Sequence, residues 1–70
     1  MTPEENSVID TRIIWNTFSE MRSERLIILL SVARISTTGL NRKQMIRNCV
    51  MNWFDGDVPN FVELDRLTNE

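Results

Sequence analysis

Seventy residues make one domain at most, and 41% hydrophobic with 26% charged residues is the composition of a folded chain, not a disordered one. With no histidine and a single cysteine, Cys49, neither an intrachain disulfide nor a zinc site can staple so small a core, which leaves association with a second chain. The net charge of −2 hides a segregation: residues 1–10 carry −3, residues 11–54 carry +5 and residues 55–70 carry −4, so a basic body stands between two acidic ends.

Residues 1–7 read as a flexible acidic arm, without the basic and apolar regions of a signal peptide. Val8 to Trp15, V-I-D-T-R-I-I-W, is rich in β-branched and aromatic residues. With period two, Ile9, Thr11, Ile13 and Trp15 share an apolar face, and Val8, Asp10, Arg12 and Ile14 share a mixed one. This pattern predicts a short strand over 8–15. The alternative is an extension of the following helix, since Ile14, Phe18 and Met21 also fall at helical spacing.

Ser19 is the expected N-cap of a helix over 20–35, with Glu20 in its first turn and Arg34 in its last. Its apolar residues, from Met21 through Leu29, Leu30 and Ile35, surround most of its circumference. A helix of that kind is buried on several sides, and seventy residues cannot supply the cover, so the pattern calls for a partner chain. The longest apolar run, Leu26 to Leu30, is five residues, far short of the roughly 20 that a membrane span needs. The expectation is a cytoplasmic protein with no membrane contact. Ser36-Thr37-Thr38-Gly39-Leu40 then reads as a turn.

Asn41 is the expected N-cap of a helix over 42–54, where Met45/Ile46, Cys49/Val50 and Trp53/Phe54 recur every four residues as one apolar stripe. Gly56 and Pro59 stop it, and residues 55–70 read as an acidic tail outside the dimerising domain of 8–54. The apolar residues of that tail would allow it to bind a protein partner. Ile13, Trp15, Leu29, Leu30, Met45, Ile46, Cys49 and Trp53 are the expected dimer core.

No histidine is present to activate Cys49 or a serine, and no phosphate-cradling glycine loop occurs, so neither an enzyme nor a cofactor is expected. The start of the second helix is different. Free backbone N–H groups at a helix N-terminus bind phosphate, and Asn41, Arg42 and Lys43 crowd that end.

The stretch Thr38 to Phe54, T-G-L-N-R-K-Q-M-I-R-N-C-V-M-N-W-F, resembles the turn and second helix of the ribbon–helix–helix family of Arc/MetJ-type repressors. The resemblance implies a mainly α fold: a short N-terminal strand followed by two helices, paired into an intertwined homodimer. It also implies an antiparallel ribbon in the major groove of double-stranded DNA, with Asp10, Arg12 and Ile14 facing the bases and Asn41, Arg42 and Lys43 on the phosphates. The leading expectation is a homodimeric, sequence-specific transcriptional regulator. The alternative is an all-α hairpin dimer, acting as a protein–protein interaction module or an antitoxin-like inhibitor without DNA contact.

Overall fold

A computed structural model describes residues 2–70 as four helices: α1 (Pro3–Ser19), α2 (Ser23–Val32), α3 (Arg42–Trp53) and α4 (Phe61–Asn69). The third of these lies at the centre and packs on the other three, while α1 and α4 also pack on each other and α2 rests chiefly on α3.

The strand expected over 8–15 is overturned, and with it the ribbon–helix–helix architecture; the all-α alternative fits. Among the described residues there is no strand. The reason lies upstream of the β-branched run. Thr2 caps α1 by accepting from the Glu5 N–H at 3.2 Å, Pro3 occupies the first turn, and Glu4 and Glu5 complement the positive helix end. The presumed arm is therefore a helix start. Once nucleated there, the helix meets its own backbone hydrogen bonds, whereas a strand over 8–15 would need a neighbour. Thr11, Trp15 and Phe18 supply the buried face at helical spacing. The threonines adapt to the helix: Thr11 Oγ1 donates to the Ser7 carbonyl at 2.8 Å and Thr17 Oγ1 to that of Ile13 at 2.9 Å.

The helix expected over 20–35 is shorter at both ends. Ser19 closes α1 and does not cap α2, whose N-cap is Arg22 without a side-chain cap bond. At the other end the chain turns before the expected glycine. Arg34 takes up the left-handed conformation at φ 61°, its N–H donates to the Ser31 carbonyl at 3.0 Å, and the Ile35 N–H donates to Leu30 at 2.8 Å. Those two bonds satisfy carbonyls that the helix end would otherwise orphan. Asp55 and Gly56 end α3 with the same pair of bonds, to Asn52 at 3.1 Å and Met51 at 2.8 Å.

The helix over 42–54 matches α3 to within one residue. Asn41 and Gln44 form a reciprocal capping box, each side chain accepting from the other's backbone N–H at 2.9 Å. Residues 55–70, expected as a tail, instead complete the core. Asn60 caps α4 by accepting from the Glu63 N–H at 2.9 Å, and Val58 and Leu64 are buried with Trp15, Leu26, Leu30, Ile46 and Val50.

Candidate interaction surface

Apolar side chains are left uncovered on α1 and α4, Ile13 and Val62 among them, and α2 together with Trp53 gathers several more beside a groove. The α2 sequence, S-E-R-L-I-I-L-L-S-V, turns Leu26 and Leu30 onto α3 and keeps Leu29 half-buried. Ile28, 61% exposed, and Val32, 79% exposed, lie one turn apart on its outer side. Beside them Trp53 ends α3 with 62% of its surface exposed, held edge-on to Phe18 at a centroid distance of 6.2 Å. Between α2 and Trp53 opens a groove of about 440 Å³, lined by Phe18, Met21, Leu29, Val32 and Cys49, with Arg25 its only charged residue. On the other side of the indole a smaller hollow of about 210 Å³ is bordered by Asp10, Ile13, Ile14 and Phe54.

Charge is distributed in a way that singles out the same region. Arg12 and Arg66 converge on Glu63, Arg47 pairs with Asp65, and Arg66 also reaches Glu70. Arg42 and Lys43 donate to backbone carbonyls. The cations that make no side-chain hydrogen bond or ion pair among the described residues are Arg22, Arg25 and Arg34, all on or flanking α2, whereas carboxylates without a cation occur along the chain, Glu20 and Glu24 here and Glu4, Glu5, Asp10, Asp55 and Asp57 elsewhere.

The residues expected to read bases do not share a face. Asp10 and Ile14 lie one helical turn apart on α1, and Arg12 is turned roughly 200° away from them. Arg12 Nε donates to Glu63 Oε1 at 3.1 Å, and Ile14 packs against the core. The residues expected to hold phosphate are likewise engaged within the chain. Asn41 is occupied by its capping box. Arg42 reaches over the α1–α2 corner, donating to the Ser19 carbonyl at 2.8 Å, to Ser23 Oγ at 2.9 Å and to the Met21 carbonyl, and Lys43 donates to the Glu70 main-chain oxygen. Of the expected dimer core, Trp15, Leu30, Met45, Ile46 and Cys49 are buried within this one chain, Leu29 is half-buried, and Ile13 and Trp53 remain exposed.

Three groups have shifted acidities, the Arg66 guanidinium being raised chiefly by its hydrogen bond to Glu63. Hydrogen bonding from Arg66, then the Arg12 guanidinium, holds the Glu63 carboxyl below its usual range against the opposing effect of burial. Burial pushes the Cys49 thiol up, which keeps it protonated and unreactive. No cluster of three potential ligands for a metal ion occurs among the described residues, and no helix there is long and apolar enough to cross a membrane.

Sequence reasoning placed Ile28, Val32, Arg25 and Arg34 in the predicted helix over 20–35 and assigned none of them to a site. Their signal was present in an α2 apolar around most of its circumference, which is a stronger pointer to a shared surface than the motif at the start of α3. Compared with protein-family models, curated proteins and solved structures, the chain matches none of them.

Proposed function

We propose that this chain is a small helical interaction module, with no reaction of its own, that works by packing a helix of another polypeptide against α2 and Trp53. The observation that carries this reading is the pairing of a mostly exposed tryptophan with a groove of about 440 Å³ whose lining holds a single charge. Tryptophan and arginine at the edge of an apolar pocket are the side chains that most often dominate the energy of protein interfaces. An uncovered apolar helix face beside a groove suits the helix-in-groove mode of recognition. The ribbon reading assigned Arg12, Arg42 and Lys43 to DNA, and all three have partners within the chain.

The test uses a hydrophobic fluorescent dye in dilute solution, where the surface is free. Wild type should bind the dye, and Ile28→Glu combined with Val32→Glu should abolish binding while the circular-dichroism spectrum and melting temperature stay close to wild type, since both residues face solvent. Dye fluorescence that is indifferent to the two glutamates would remove this surface from consideration.

A further inference from the structure

We infer that the polypeptide helix received by this surface carries an acidic side chain beside its apolar face, and that this carboxylate seats between Arg25 and Asn52 in the groove. It rests on the interaction-module reading and gives the partner its chemistry.

The groove has two walls. Arg25, Leu29 and Val32 stand at i, i+4 and i+7 on α2, so they share one side of that helix, and all three line the groove. Asn52 and Trp53, at the end of α3, line it from the other side. Glu24 lies roughly 100° further round α2 from Arg25, towards Ile28, and does not border the groove. Arg25 and Asn52 therefore stand as a cation and an amide in an otherwise apolar lining.

Neither group is used within the chain. Arg12, Arg42, Lys43, Arg47 and Arg66 each hold a carboxylate or a carbonyl, while Arg25 holds neither. Asn48 and Asn60 donate through their amides, and Asn52 makes no side-chain hydrogen bond among the described residues. A partner that covers Leu29 and Val32 with apolar side chains also takes water from Arg25, which shares their side of the helix. A guanidinium stripped of water without a counter-ion is costly, whereas a carboxylate replaces the lost water with a paired, charge-assisted contact. The groove thus favours an occupant that brings one anion to one place. Across residues 20–34 three arginines outnumber Glu20 and Glu24, so the approach of an acidic helix is also favoured. A flat anionic bilayer fits less well, because it would meet Glu24 beside Ile28 on the outer side of α2 before it reached the groove.

Helices displayed on phage test the inference, with a fixed apolar stripe and flanking positions randomised among Asp, Glu, Gln, Ala, Lys and Arg. Selection against wild type should yield Asp or Glu at one position beside the stripe. Selection against Arg25→Glu should yield Lys or Arg at that same position. Arg25→Glu and Arg25→Gln should both melt close to wild type, since Arg25 is exposed and without a partner. A selected acidic peptide should bind Arg25→Glu roughly tenfold or more weakly than wild type, with Arg25→Gln between them. Helices selected by wild type without an acidic preference, or held as tightly by both Arg25 variants, overturn the inference and leave the interaction surface standing. Failure to select any helix overturns both, and binding to phosphatidylglycerol vesicles in that case assigns the face to a lipid surface instead.

Discussion

Arg12 Nε lies 3.1 Å from Glu63 Oε1 and so joins the middle of α1 to the first turn of α4 across 51 residues of chain. Glu63 is nearly buried and also takes Arg66, while both arginines keep much of their surface in water. Because the Glu63 carboxyl is held below its usual range, its contribution to stability is complete above that range and is lost as pH falls through the lowered value. Glu63→Gln should cost about 1.5–3 kcal/mol at neutral pH, the range for hydrogen bonds to a charged group. Melting temperatures followed from neutral into acidic solution should fall less steeply for the glutamine variant than for wild type.

Leu64 is fully buried where α4 meets the core. Leu64→Ala should cost about 2–5 kcal/mol, and removing residues 58–70 should abolish cooperative unfolding, since Val58 leaves with Leu64. Urea denaturation of the two variants reads both effects. A truncated chain that still unfolds cooperatively would mean α4 is dispensable to the core.

The two tryptophans should behave as opposites. Trp15 is 7% exposed, and Trp15→Ala should cost roughly 3–5 kcal/mol. Trp53 closes the stripe of α3 in the sequence, yet its indole lies outside the core, so in the single chain Trp53→Ala should cost only about 0.5–1.5 kcal/mol through the lost contact with Phe18. Acrylamide should quench Trp53 far more readily than Trp15, as measured on single-tryptophan variants of dilute protein.

Arg42 holds the α1–α2 corner through a fork that a lysine cannot copy. Arg42→Ala should destabilise the fold by about 1–3 kcal/mol, and Arg42→Lys should recover less than half of that loss, because one ammonium cannot reach Ser19, Met21 and Ser23 together. Lys43→Ala, on an exposed side chain, should leave the unfolding midpoint nearly unchanged.

How far the sequence carried depended on which local signals agreed. For α3 the cap, the paired apolar positions and the Gly/Pro stop pointed the same way, and the helix ran as expected from Arg42. At the N-terminus they disagreed. Val8, Ile9, Thr11, Ile13 and Ile14 favour a strand, but Thr2-Pro3-Glu4-Glu5 starts a helix, and α3 and α4 provide a surface on which a helix face can be buried. The same conflict hid α4, whose acidic composition suggested a tail while Asn60, Phe61, Leu64 and Leu67 spelled a capped amphipathic helix. Arg42 was legible as a cation at a helix start. Its use as a tie between carbonyls was not, because those carbonyls are exposed by the α1–α2 corner, which the sequence did not place.

The position of α2 has a consequence for how the molecule opens. Where α1, α3 and α4 support one another, α2 rests chiefly on α3 and begins without a side-chain cap. Units with fewer supports exchange their amide hydrogens through partial openings, well below the cost of unfolding the whole chain. In dilute solution the amides of α2 should therefore exchange first. Cys49 is buried and borders the groove beside this helix, so alkylation of its thiol should quicken in step with exchange of the α2 amides, and the two rates together time the opening.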